Sequence, residues 1–163
     1  MENATSQYLD EQLFSKVVDD VDTFIFDADG VLWLGDTVIP GSTVLIDLLV
    51  SKNKTIIVLT NNTTKSRSLC AEKLEKLGFN KSLNKNSVVN PAAVVAELLH
   101  SLSLDKKVYL IGSQGIKDEL FELNIEHFGD GPDPVENHHD GSTPFIYDIE
   151  LEEHTDDVGA VVV

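Results

Sequence analysis

Short apolar runs that alternate with amphipathic segments constrain the fold of this chain more than any other feature. The runs at residues 23–26 and 54–59 are rich in aromatic or β-branched residues. Such continuous runs are typical of the buried strands of parallel sheets. Three further runs, at residues 87–89, 108–111 and 158–163, predict three more strands. Strands that alternate with helices predict an α/β fold with a parallel sheet and right-handed crossovers.

Two helices are predicted in the first part of the chain. A leading helix within residues 1–20 is expected to pack onto a core domain formed by residues 21–163. Its apolar residues at helical spacing are Leu9, Leu13, Phe14 and Val17. A second helix is expected to start near Ser42 and to run through Leu49. Its apolar stripe consists of Val44, Leu45, Leu48 and Leu49.

Three more helices follow from periodicity and boundary residues. The helix over residues 66–77 is ended by Gly78, and the helix over residues 92–102 is introduced by Pro91. A last helix is predicted over residues 116–123, whereas the residues that follow it, up to Asp157, lack helical or strand periodicity.

Charge and cysteine content limit the partners and the compartment. The chain has 28 Asp or Glu and 12 Lys or Arg, and residues 118–163 contain 14 of the acidic residues and no Lys or Arg. We therefore expect neither nucleic acid nor an anionic membrane as a main partner. The N-terminal segment is acidic without an apolar core, and the single cysteine, Cys70, fits a reducing compartment. A cytoplasmic location is expected.

The candidate chemistry lies at the strand ends, where open parallel sheets bind their ligands. The first strand ends in Asp27-Ala28-Asp29-Gly30. In an extended chain both carboxylates would point to the same side. One could then act as a nucleophile and the other as a proton donor or acceptor. The alternative is an ordinary turn, because Asp-Gly is a common turn dipeptide.

The second strand ends in a run of short polar residues, Thr60, Asn61 and Asn62, ahead of a predicted helix. Free backbone N–H groups at a helix N-terminus favour an anion, although such residues also serve as simple caps. A carboxylate pair beside an anion-binding loop indicates phosphoryl transfer. Lys65 and Arg67 could attract the phosphate or form a solvated face.

These motifs resemble those of the haloacid dehalogenase superfamily. The sequence D-A-D-G-V-L-W, which starts at Asp27, resembles the first motif of its 4-nitrophenylphosphatase, phosphoglycolate phosphatase and pyridoxal phosphatase branch. The sequence V-L-T-N-N-T-T-K-S-R, which starts at Val58, resembles the second motif. The resemblance implies a three-layer Rossmann-like core and a Mg²⁺-dependent phosphatase for small phosphomonoesters.

The resemblance also implies roles for individual residues. Asp27 would be the nucleophile that forms an aspartyl-phosphate, and Asp29 would protonate the leaving group and then activate water. Mg²⁺ would be held by the Asp27 carboxylate and by the backbone carbonyl of Asp29. Thr60 and Asn61 would bind phosphate oxygens, as would Asn62. Residues 31–39 would form a hairpin flap over the site, and Trp33 would either line the site or belong to the core.

The resemblance covers roughly the first half of a full-length family member. The third-motif Lys, the acidic fourth motif and the cap domain of the family lie beyond the portion matched. We therefore expect a partial core domain with little or no turnover of its own and with a tendency to self-associate. The alternative is a non-catalytic binding domain or a phosphorylatable, receiver-like domain. Neither Val89-Asn90 nor Ile111-Gly112 offers the acceptor Asp that a receiver needs.

Other polar residues have simpler explanations. The segment N-H-H-D at residues 137–140 is expected to be a solvated loop rather than a metal site. His100 is expected near a helix C-terminus, where its charge would complement the helix dipole. Cys70 is expected to be a small buried side chain within a helix.

Overall fold

The computed structural model describes residues 8–129 and 157–163. In these two ranges the chain forms five α-helices and eight β-strands. The helices are α1 (Glu11–Asp20), α2 (Ser42–Ser51), α3 (Arg67–Lys76), α4 (Pro91–Ser101) and α5 (Gln114–Glu122). The strands are β1 (Thr23–Asp27), β2 (Trp33–Leu34), β3 (Thr37–Val38), β4 (Thr55–Leu59), β5 (Val88–Val89), β6 (Lys107–Leu110), β7 (His127–Phe128) and β8 (Val158–Val162). The predicted α/β class is confirmed.

Six of the eight described strands form two parallel sheets, and the other two form a hairpin. The first sheet has the order β1-β4-β5, and the second has the order β7-β6-β8. Strands β2 and β3 form an antiparallel hairpin. The apolar runs do not reveal this division, because a parallel strand is apolar on both faces whichever sheet it joins. Strand β7 lies in a segment where the sequence pattern indicates no regular element.

Helices α1, α2 and α3 contribute to the core that covers one face of the first sheet. Strands β1 and β4 present Phe24, Phe26, Ile56 and Val58 to this face. Helix α1 contributes Val18, which is 1% exposed, whereas Leu9 and Val17 of the predicted stripe are exposed. The predicted stripe of α2 is also partly wrong, because Val44 and Leu48 are exposed and Ile46 is buried. The division into residues 1–20 and 21–163 stays a prediction.

Helix α4 joins the two sheets and packs against the second one. Its residues Ala92, Ala96 and Leu99 lie in one cluster with Val108 and Leu110 of β6. Helix α5 contributes Ile116 and Leu120 to the same cluster. This second core is therefore built from α4, α5 and β6, with Ala160 and Val162 of β8 packed against it.

The helix boundaries follow from local hydrogen bonding. The Ser66 side chain accepts from Leu69 N and so caps α3. The Asn90 side chain accepts from Ala93 N and caps α4, whose first residue is Pro91. After α3 the chain turns at Gly78, where φ is +82°. No helix among the described residues is long and apolar enough to cross a membrane. The solvated loop predicted at residues 137–140 lies outside the described ranges.

Candidate active site

Asp27 and Thr60 lie side by side at the carboxyl edge of the first sheet. Asp27 is the last residue of β1 and is aligned with Leu59, the last residue of β4. Thr60 follows directly and is 5% exposed, and its N–H donates to the Val89 carbonyl at 3.0 Å. A cavity of about 580 Å³ opens at this edge. Its lining consists of Asp27, Leu59, Thr60, Asn61, Val89, Asn90, Pro91 and Val94.

The chain reverses directly after Asp27. Ala28 is fully buried, whereas Asp27 and Asp29 on either side are exposed, as expected for an extended segment. The Ala28 carbonyl accepts from Leu32 N at 2.9 Å and from Trp33 N at 3.2 Å. Gly30 has a φ of +91°, a conformation that a residue with a side chain adopts only under strain. The segment therefore forms a tight turn, and its two carboxylates are exposed to solvent.

The Asp29 carboxylate is held from one side. Trp33 Nε1 donates to Asp29 Oδ1 at 2.7 Å. Trp33 is 3% exposed at the start of the β2–β3 hairpin, and its ring meets Phe79 edge-on with a centroid separation of 6.1 Å. Of the two sequence interpretations of Trp33, the core position is the one observed, because the residue is buried and does not line the cavity, although its indole contacts Asp29.

The loop after β4 is organised by its own polar side chains. Thr60 Oγ1 accepts from Asn62 N at 3.2 Å. Asn62 Oδ1 accepts from Thr64 N at 2.8 Å and from Thr64 Oγ1 at 2.7 Å. Asn62 therefore uses its carbonyl oxygen to shape the loop, and the structure does not bring it to the cavity lining. Asn61 is exposed and lines the cavity.

Two side chains from later elements hold this loop from outside. Asn90 is 1% exposed, and its Nδ2 donates to the Lys65 carbonyl at 2.8 Å. Ser113 Oγ donates to the Thr63 carbonyl at 2.6 Å. A Cβ atom added at Gly115 would lie 2.6 Å from the Lys65 carbonyl carbon. The N-terminus of α5 therefore packs directly on the backbone of the loop.

A buried ion pair joins α3 to α5 behind the loop. Glu119 is 1% exposed and accepts from the backbone N–H of Arg67. Its Oε2 accepts from Arg67 Nε at 2.9 Å and from Arg67 Nη2 at 2.8 Å. Arg67 is thus neither a phosphate attractor nor a solvated residue, the two roles that its sequence position left open.

Sequence reasoning missed Glu119 and the second role of Asn90. Glu119 lies on the stripe formed by Ile116 and Leu120, and an acid on an apolar helix stripe indicates a buried partner. Nothing in the sequence identifies Arg67 as that partner. Asn90 directly before Pro91 indicates a cap, but its bond to the Lys65 carbonyl depends on tertiary structure.

Cys70 is confirmed as a buried residue of α3. Burial raises the pKa of the Cys70 thiol, although the nearby cations of Lys65 and Lys73 oppose this shift. Asp29 and Glu119 raise the same pKa further by charge repulsion. The thiol therefore stays protonated at neutral pH.

The carboxylates of Asp27 and Asp29 fit one kind of metal site and not another. Among residues 8–129 and 157–163, no three His, Cys, Asp or Glu side chains come together as a metal cage. Mg²⁺ keeps several waters and is commonly bound through one or two carboxylates together with substrate phosphates. Asp27 and Asp29 are both exposed and offer carboxylates of that kind, although only Asp27 lines the cavity and Asp29 lies outside its lining.

Comparison with known proteins identifies the family. A family model described as haloacid dehalogenase-like hydrolase matches residues 24–126. The chain belongs to this family, which confirms the resemblance seen in the two motifs. The matched residues include all five candidate site residues.

Two of the named relatives of this chain are a phosphoglycolate phosphatase and a 4-nitrophenylphosphatase. Phosphoglycolate phosphatase 1A, chloroplastic, of Arabidopsis thaliana is 41% identical over 150 residues, which are 91% of this chain and 39% of that protein. The 4-nitrophenylphosphatase of Schizosaccharomyces pombe is 41% identical over 123 residues, which are 74% of this chain and 41% of that protein. The chain thus spans about two fifths of the length of these relatives.

Solved structures of the same class share the fold. The 4-nitrophenylphosphatase of Thermotoga maritima matches with a TM-score of 0.60 and 27% identity, over 72% of this chain and 44% of that one. The p-nitrophenyl phosphatase of Archaeoglobus fulgidus matches with a TM-score of 0.61 and 26% identity, over 66% of this chain and 41% of that one. The Rossmann-like fold implied by the two motifs is therefore confirmed.

Proposed function

We propose that this chain is part of a Mg²⁺-dependent phosphatase that hydrolyses small phosphomonoesters through an aspartyl-phosphate. The observation that carries the proposal is the alignment of Asp27 with the end of β4, which brings a carboxylate beside the Thr60–Asn61 segment at one cavity. The two relatives described above are named as phosphatases. That this chain belongs to an enzyme for the same class of substrate is part of the proposal. The substrates considered are esters such as phosphoglycolate, pyridoxal phosphate and 4-nitrophenyl phosphate.

The proposed reaction has two steps. In the first, an Asp27 carboxylate oxygen forms a bond to phosphorus while the ester P–O bond breaks, and Asp29 gives its proton to the leaving oxygen. In the second, a water oxygen forms a bond to phosphorus while the Asp27 O–P bond breaks, and Asp29 takes the water proton. Inorganic phosphate, the alcohol and the original two carboxyl groups remain.

Thr60 and Asn61 would bind phosphate oxygens through their side chains. Asn62 would act indirectly, because its Oδ1 already accepts from two Thr64 donors. This arrangement keeps the loop preformed, so that little ordering is needed when phosphate binds.

Mg²⁺ would be held by the Asp27 carboxylate and by Asp29. When bound, the ion neutralises charge between the anionic nucleophile and the anionic ester. Removal of divalent ions with a chelator should abolish turnover, and added Mg²⁺ should restore it. Turnover that is unchanged after chelation would contradict this part of the proposal.

The test is hydrolysis of 4-nitrophenyl phosphate with Mg²⁺ by the longest form in which the protein occurs. Asp27→Asn should lower kcat by about 10³-fold or more, as removal of a nucleophile does. Asp105→Asn replaces an exposed carboxylate outside the cavity and should leave kcat unchanged. Equal activity of Asp27→Asn and the wild type would refute the proposal.

The 163-residue chain alone should show little or no turnover. The chain spans about two fifths of the length of the two phosphatase relatives, and the loss of a single preorganised electrostatic contact costs about 10²–10³ in rate. Turnover by this chain that Asp27→Asn abolishes would contradict the expectation.

A cytoplasmic location and the absence of nucleic-acid and membrane partners also stay part of the proposal, supported by the single cysteine and the acidic charge.

A further inference from the structure

Trp33 is bound on three sides and is the only tryptophan of the chain. Its Nε1 donates to Asp29 Oδ1 at 2.7 Å, and its edge contact with Phe79 fixes one side of the ring. Lys73 Nζ of α3 lies 4.7 Å from the ring centroid, over the face of the indole. A tryptophan that is 3% exposed and contacts Asp29, Lys73 and Phe79 has little freedom to rotate.

The backbone of the turn fixes the same pair. Asp29 and Trp33 form a parallel β-bridge, and Gly30 N donates to the Trp33 carbonyl at 2.7 Å. The distance between the two residues is therefore set by main-chain bonds as well as by the indole. Asp29 itself is exposed, and among the described residues its carboxylate is held by the Trp33 indole.

We propose that Trp33 is a positioning residue that holds Asp29 by its Oδ1 atom and leaves Oδ2 to exchange the proton with the substrate. The inference rests on the proposed function, in which Asp29 is the acid and then the base. An indole N–H is a donor only, so it can hold a carboxyl oxygen in either protonation state and cannot remove the proton. A displacement of about 1 Å at a reacting group can cost about 10²-fold in rate.

The kinetic test compares two esters in the longest form of the protein. Trp33→Phe keeps a buried ring and removes the donor. We expect kcat/KM for ethyl phosphate to fall about 10- to 100-fold, because the ethoxide leaving group needs the proton. For 4-nitrophenyl phosphate we expect a fall of about threefold or less, because 4-nitrophenolate leaves without protonation.

A matched control disturbs the packing of the same indole without removing its N–H. Phe79→Leu removes the edge contact but keeps the indole N–H, and it should lower kcat/KM for ethyl phosphate relative to 4-nitrophenyl phosphate much less than Trp33→Phe does. Equal losses on the two esters in an active Trp33→Phe variant would overturn the role of Trp33 and leave the proposed function standing. Failure of the wild-type protein to hydrolyse either ester would overturn both.

A second measurement needs no turnover and uses the 163-residue chain. Its single indole ¹H–¹⁵N resonance reports on the Trp33 donor directly. Asp29→Ala removes the acceptor and should shift that proton upfield and speed its exchange with water. An unchanged resonance would show that Trp33 does not hold Asp29, and would overturn the proposal.

Discussion

At the scale of single residues, the ion pair between Glu119 and Arg67 is costly to break because Glu119 is buried. Glu119 is 1% exposed and Arg67 donates to it from its backbone and from its guanidinium. Removing one partner of a buried pair leaves the other charge uncompensated, which costs about 3–5 kcal/mol. We expect Glu119→Ala to lower the free energy of unfolding by that amount in urea titrations.

The control for this prediction is a second glutamate of the same helix. Glu122 pairs with Lys85 at the surface, and the pKa of Glu122 is lowered by that hydrogen bond. Exposed pairs contribute about 0–1 kcal/mol, so Glu122→Ala should cost far less than Glu119→Ala. Equal losses from the two variants would contradict the buried pair.

Cys70 gives a prediction about pH. Because burial raises the pKa of the Cys70 thiol in the folded protein, the folded state resists forming the thiolate. The stability that this contributes is present below the ordinary thiol pKa of about 8.5 and is lost as the pH rises through the folded value. The wild type should therefore lose stability relative to Cys70→Ala as the pH rises above about 8.5. A difference between the two proteins that does not change with pH would contradict it.

The candidate site could be predicted at this scale only in part. The location of Asp27 and Thr60 at the site could be predicted because the carboxyl ends of adjacent parallel strands meet at one edge of a sheet. The hydrogen bond from Trp33 to Asp29 is a contact that apolar patterning cannot indicate, since a tryptophan at that position serves equally well as core. The bond from Asn90 to the Lys65 carbonyl is likewise invisible, because the two residues are 25 positions apart.

At the scale of secondary-structure elements, α5 packs tightly against the backbone of the loop after β4. A Cβ atom at Gly115 would lie 2.6 to 2.8 Å from backbone atoms of Lys65 and Thr64. Alanine normally stabilises a helix by about 1 kcal/mol relative to glycine, but overpacking against backbone costs about 1–3 kcal/mol. We expect the overpacking to prevail, so Gly115→Ala should lower the thermal midpoint.

Gly112 provides the comparison. A Cβ atom there would meet only the side-chain ends of Leu110 and Ile116, at 2.8 and 3.0 Å. Flexible side-chain ends can move at little cost, so Gly112→Ala should change the midpoint much less. A Gly115→Ala protein as stable as the wild type would show that α5 does not rest on the loop.

The positions of most helices and strands could be predicted from the sequence, whereas their packing partners could not. Helices α3 and α4 begin at Ser66 and Asn90 because their side chains cap the first turn, and both boundaries follow from the sequence. The phase of α1 did not follow, since Val17 and Val18 are equally apolar and only packing decides that Val18 is the buried one. The division into two sheets also depends on packing, because α4 turns its buried face toward β6.

At the scale of the whole molecule, one face of the first sheet carries exposed apolar side chains in the part of the chain that the structure describes. Ile25 is 62% exposed on β1, and Leu59 is 47% exposed on β4. Val94 and Leu98, one turn apart on α4, are 55% and 58% exposed. In the part of the chain that the structure describes, β1 pairs only with β4, so its other edge is also open. An apolar face beside an open strand edge favours association.

We therefore expect the 163-residue chain to self-associate, and more strongly at high salt. The net charge of −16 repels a second copy, and salt screens that repulsion. Ile25→Thr should weaken the association in sedimentation experiments. Leu34→Thr, a matched change at an exposed strand residue of the hairpin, should leave the association unchanged. A monomer at all concentrations and salt conditions would contradict the prediction.

The central claim, that Asp27 is the nucleophile, is tested most directly by locating the phosphorylated residue. In the Asp29→Asn variant of the longest form of the protein, 4-nitrophenyl phosphate should still phosphorylate the enzyme, because its leaving group needs no proton. The second step should stall, because the base is missing. Borohydride reduces an aspartyl-phosphate to homoserine, which mass spectrometry of the peptides can place. The account predicts homoserine at position 27, and reduction at any other residue, or a burst of 4-nitrophenolate without a reduced residue, would contradict it.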